Sequence, residues 1–119
     1  MALKTTHSTR DGVIVIRLIG AIYFGEESTS LRILVKDLLN NSRQIVLDLG
    51  DVTHIDSGGL GTLVSLYASA RKVGGEIKLA HLGNHTKELL QITRLITLFE
   101  IFNTADDAIV SFDKAVAAS

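Results

Sequence analysis

The sequence predicts an α/β fold: one mixed β-sheet of four to five strands, with helices mainly on one face. Three observations predict it. Runs rich in β-branched residues alternate with segments whose apolar residues recur every three or four positions, the pattern of strands alternating with helices. Asp11-Gly12, between the first two such runs, is a favoured two-residue hairpin turn. And "THIDSGGLGTLVSL", residues 53–66, changes from strand-like to helix-like period between Ile55 and Leu60.

The elements follow in order. "LKTTHS" (3–8) reads as a first strand and "VIVIRLIG" (13–20) as a second, ending at a glycine. From Glu26 the pattern is helical. Leu31, Leu34, Val35, Leu38 and Leu39 share one face, Glu26 and Glu27 complement the helix dipole, and Asn40-Asn41-Ser42 closes the helix. "QIVLDL" (44–49) is nearly all apolar, as a central strand covered on both faces should be. A loop over 50–56 leads into a helix from Ser57 to about Val73, with Leu60, Leu63, Val64, Tyr67 and Ala70 as its apolar positions, and Gly74-Gly75 stops it. "EIKLA" (76–80) alternates as a strand. A shorter helix spans about 84–92, with Leu89 and Ile92 turned inward, and "LFEIF" (98–102) is a last short strand. Thr104 is the expected N-cap of a terminal helix with acids in its first turn.

Composition limits the function. At 119 residues the chain is read as a single domain, 1–119, long enough to bury a core. With no cysteine, it has neither a disulfide framework nor a cysteine nucleophile. Twelve basic and 13 acidic residues give a net charge of -1, which offers no electrostatic reason to expect direct binding to nucleic acid. No apolar run is long enough to span a bilayer, so no membrane insertion is expected. "MALKTTHSTRDG" lacks the apolar centre of a signal peptide, so the expected location is the cytoplasm.

The residues that carry chemistry stand at the strand-to-helix junction: Asp56, Ser57, Gly58 and Gly59. The first N–H groups of a helix have no intrahelical partner and favour negative charge. Ser57 either caps the helix with its own oxygen or presents its hydroxyl for phosphorylation. Gly58 and Gly59 each cost about 1 kcal/mol against alanine in a helix. Either close packing or an unusual backbone angle requires them, or they leave Ser57 open to another protein's active site. Gly61, one turn on, is expected to pack against the sheet.

Other constellations are weaker. His54, Asp56 and Ser57 are the residue types of a hydrolase triad, but "IDSGG" is not the G-x-S-x-G elbow. His81 and His85 are separated by Gly83-Asn84, which breaks any shared helix, so no metal site is expected. Asp48 and Asp51 lie near a strand end as in a response regulator. The acid pair and lysine that such a site also needs are missing at Gly20-Ala21 and Asn103-Thr104. No phosphate-loop or dinucleotide fingerprint is present, so no cofactor is expected.

Taken together, "IVLDL", "DVTHIDSGGLG", the "RKVGG" helix stop and "LLQITRLITLFEI" resemble the STAS domain of bacterial anti-sigma factor antagonists, and the resemblance covers nearly the whole chain. It implies the STAS fold and a binding module in place of an enzyme. It further implies that Ser57, after Asp56, is phosphorylated by a partner anti-sigma factor that is also a serine kinase. The unphosphorylated form would capture that partner and free the sigma factor, thereby regulating transcription. Phosphorylation would release the partner, and a phosphatase would reset the switch. The partner surface implied around Ser57 comprises Tyr23, Thr53, Asp56, Gly58, Gly59 and Leu60. Two positions depart from the family pattern: Gly58, where Ser or Thr is frequent, and Tyr23, where an acid is usual. The alternative function is a STAS docking subunit of a transport complex or signalling scaffold, in which Ser57 is only a cap.

Overall fold

The computed structural model describes residues 3–118, with side chains to residue 112. Its elements in chain order are β1 (Leu3–Arg10), β2 (Val13–Ile22), α1 (Glu26–Leu38), β3 (Gln44–Ile55), α2 (Ser57–Lys72), β4 (Glu76–Ala80), α3 (Asn84–Ile92), a 3-10 turn (Leu95–Thr97), β5 (Ile101–Phe102) and α4 (Ala105–Ala118). The strands form one sheet in the order β1-β2-β3-β4-β5. β1 and β2 are antiparallel, and the remaining neighbours are parallel. The hairpin turns at Asp11-Gly12 with φ of 53° and 79°, both positive as its turn type requires.

The topology decides where the helices lie. Strands added one after another in the same direction, each through a right-handed crossover, send their connecting helices to the same face. α1, α2 and α3 accordingly share one core with the sheet. Leu31, Val35 and Leu38 of α1, Leu60, Leu63, Leu66 and Ala70 of α2, and Leu90 of α3 meet Ile14, Ile16, Ile45, Leu47, Ile77 and Leu79. α4 covers part of the other face, where Ala105, Ala108, Ile109 and Phe112 meet Val13, Val15, Val46 and Ala80. β3 is thus covered on both faces over its first half, which is why "QIVLDL" is apolar throughout. Lys78 lies under α4 at 2% exposure. Its ammonium donates to Ser111 Oγ at 2.7 Å and sits 4.1 Å from the centre of the Phe112 ring, partners that a buried cation needs.

Four expectations are corrected. Residues 50–55 continue β3 and are not a loop, because β2 pairs with them as far as Ile22–Ile55 across two register shifts. The last strand is two residues long, and a 3-10 turn occupies part of the apolar run before it. In α3 the buried apolar residue is Leu90, whereas Leu89 is half-buried and Ile92 is exposed. In α2 Leu66 is fully buried, and Val64 and Tyr67 are only half-buried. Thr104 caps α4 as expected, accepting from Asp107 N at 3.0 Å.

Candidate functional site

The site is built where β3 ends beside β2 and the chain turns into α2. The backbone N–H of Asp56 points at Ile22 O, 3.4 Å away, so the end of β2 fixes the level at which α2 begins. Asp56 is extended, with φ -99° and ψ 179°, and its Oδ1 accepts from Gly59 N at 2.7 Å. Asp56, not Ser57, is therefore the N-cap. Ser57 is the first helical residue and is exposed. Among the described residues its hydroxyl takes no part in the side-chain hydrogen bonds of this turn. The capping alternative for Ser57 is thereby replaced: the acid does the capping and the hydroxyl is left at the surface.

The two glycines answer to packing. A Cβ on Gly59 would lie 2.1 Å from Ile22 O and 2.9 Å from Ile55 Cγ1. A Cβ on Gly58 would lie 2.3 Å from Phe24 Cβ. Real Cβ atoms do not come so close to other heavy atoms, so α2 can start this near β2 only through glycine. Gly61 corrects an expectation in the other direction, since nothing lies within 4 Å of a Cβ there.

The β2–α1 connection, Tyr23-Phe24-Gly25, lies against this turn. Gly25 has φ 132° and ψ -143°, a conformation that glycine alone adopts readily, and it lets the chain reverse into α1. Two fully buried hydroxyls tie the connection to α2. Ser28 Oγ donates to Tyr23 O at 2.6 Å, and Thr62 Oγ1 lies 2.9 Å from Ser28 Oγ and 3.0 Å from Gly58 O. At low dielectric such a satisfied network is rigid. Phe24 projects from it with 76% of its surface exposed, and Tyr23 with 39%.

Of the residues singled out in the sequence, Tyr23, Asp56, Ser57 and Gly58 meet where the end of β2 lies beside the start of α2, and Thr53 is exposed three residues earlier on β3. Gly59 and Leu60 are buried, so they hold the turn in place and offer no surface to a partner. Phe24 was missed. Its signal was an aromatic pair placed directly before a glycine at the end of an apolar strand. Elsewhere, His81 Nδ1 lies 2.9 Å from Asp48 Oδ1, away from Ser57, and no group of three metal-ligating side chains occurs among the described residues. No helix among the described residues is long and apolar enough to cross a membrane.

Comparison with known proteins agrees with this fold. The family model for the STAS domain matches residues 5–108. BtrV of Bordetella bronchiseptica, assigned as an anti-sigma factor antagonist, is 27% identical over 114 residues, which cover 96% of this chain and 98% of BtrV. The crystal structure of TM1081 from Thermotoga maritima, with the same assignment, superimposes with a TM-score of 0.78 at 25% identity, covering 90% of this chain and 92% of that one. High affinity sulfate transporter 2 of Stylosanthes hamata is 26% identical over an alignment of 121 positions, gaps included, that covers 90% of this chain but 18% of the transporter. The chain belongs to the STAS domain family, and the relatives that it matches from end to end include anti-sigma factor antagonists.

Proposed function

We propose that this chain is an anti-sigma factor antagonist switched at Ser57. In the unphosphorylated state it binds an anti-sigma factor that is also a serine kinase, through the surface formed by the start of α2 and the β2–α1 connection. Phosphorylation of Ser57 by that partner releases it, and a phosphatase restores binding. The protein then acts in the bacterial cytoplasm as a binding module, not as an enzyme. The observation that carries this reading is the exposed hydroxyl of Ser57 at the first helical position, with the cap supplied by Asp56.

The physical chemistry gives the direction of the switch. A phosphoserine carries roughly -1.5 to -2 charges. The first N–H groups of α2 can face such an anion without rearrangement. A partner surface shaped around a neutral hydroxyl cannot, because the dianion would be desolvated beside the Asp56 carboxylate with no cation to pair it. The test is a titration of the serine-kinase anti-sigma factors of the source genome against wild type, Ser57→Ala and Ser57→Asp, followed by incubation with ATP and mass spectrometry. Wild type and Ser57→Ala should bind, and Ser57→Asp should lose most of its affinity. One phosphate should appear on Ser57. Phosphate found on Thr53, Thr62 or Ser65 while Ser57 stays bare would reject the assignment.

The match to a segment of a sulfate transporter supports a second reading, a docking domain of a transport assembly. In that case Ser57→Asp should bind the assembly as wild type does.

A further inference from the structure

We infer that Phe24 is the apolar anchor by which this chain holds its anti-sigma factor, and that the anchor and the switch are one structural unit. The inference rests on the function proposed above. Four observations carry it. Phe24 is a large aromatic side chain with 76% of its surface in water, the most exposed large apolar residue among those described. It stands directly on Gly58, the residue after Ser57, closely enough that a Cβ there would fall 2.3 Å from Phe24 Cβ. Its connection is held by the buried Ser28 and Thr62 hydroxyls, with Ser28 Oγ donating to Tyr23 O at 2.6 Å and Thr62 2.9 Å from Ser28. Finally, Gly25, with φ 132°, turns the chain into α1 directly after Phe24, so the ring stands at the bend and not along a strand.

A few large side chains carry most of the binding energy at protein interfaces, and aromatic residues are enriched there. A flexible side chain loses freedom when it docks. Because the backbone that carries Phe24 is already held by hydrogen bonds, only the side chain is left to order on docking, so more of the ring's burial appears as affinity. The partner feature that fits is an apolar pocket of aromatic-ring size, walled closely enough to exclude water. The same contact explains why a phosphate at Ser57 acts so strongly. Inserting Phe24 into such a pocket carries the start of α2 to the pocket's edge. A neutral hydroxyl there can lose its water at small cost, and a dianion cannot. Phosphorylation then blocks insertion of the ring without moving it.

The experiment titrates the purified serine-kinase anti-sigma factors of the source genome with wild-type chain, Phe24→Ala, Phe24→Trp and Ser57→Asp, with a thermal melt of each. Phe24→Ala should melt near wild type, since the side chain is exposed, and bind at least 30-fold more weakly. Phe24→Trp, which keeps a flat apolar ring, should bind within about fivefold of wild type, a rescue that a purely structural role for the ring would not produce. If Ser57→Asp loses binding while Phe24→Ala binds within threefold of wild type, the anchor is wrong and the phospho-switch stands. If wild type binds none of these partners, the proposed function fails and the anchor fails with it.

Discussion

Converting Ser57 to aspartate should change the surface of this protein and leave its fold where it is. The magnitudes follow from the site. Ser57 is the first residue of α2, where a negative side chain gains about 0.3–1 kcal/mol from the helix dipole. Asp56 stands next to it, and two like charges about 6 Å apart in water repel by roughly 0.7 kcal/mol. The two terms oppose, so the net effect lies below about 1 kcal/mol in either direction. Against it stand Leu60, Leu63 and Leu66, none more than 5% exposed. Their burial is worth about 1.5–3 kcal/mol each. The surface term cannot displace α2 from that packing. For a domain of this length 1 kcal/mol corresponds to about 4 °C in melting temperature, so Ser57→Asp should melt within that interval of wild type. The difference should shrink further in salt, which screens both terms. Two-dimensional amide spectra should show changes confined to residues 22–26 and 53–62. Resonance shifts spread through β1, β4 and β5, or a melting temperature lowered by more than about 8 °C, would refute the local-charge argument and point to a refolding switch.

Two other outcomes test the construction of the site. Asp56→Ala removes the side chain that accepts from Gly59 N, and urea denaturation should show a loss of about 0.5–2 kcal/mol, the usual cost of an N-cap. Gly59→Ala and Gly61→Ala, two residues apart in one helix, should move stability in opposite directions. The first drives a methyl into Ile22 O and should cost about 1–3 kcal/mol, while the second adds it in open space and should gain about 1 kcal/mol in the same denaturation assay.

Much of this protein was legible in its sequence, because many of its elements are set by neighbours in the chain. The Asp11-Gly12 hairpin follows from what two adjacent residues tolerate, and both take positive φ. α1 follows from the spacing of Leu31, Val35 and Leu38, and the start of α4 from Thr104 and the acids after it. The placement of Ser57 at the mouth of a helix was likewise a local matter, a change of period next to capping residues. The tertiary structure decided what depends on approach between distant segments. Whether Ser57 or Asp56 caps α2 depends on which side chain faces Gly59 N once Asp56 N is directed at Ile22 O, and no local rule separates the two. That β3 runs on to Ile55 is a consequence of β2 lying beside it. Gly58, Gly59 and Gly61 look alike in the sequence. Phe24 and Ile22 make the first two obligatory, and open space makes the third replaceable. Phe24, one of an aromatic pair before Gly25, was marked in the sequence only as lying at a strand end, and that position does not say whether the ring is buried or exposed. Only the fold, by ending β2 at Ile22 and turning the chain at Gly25, left its ring in water beside the serine.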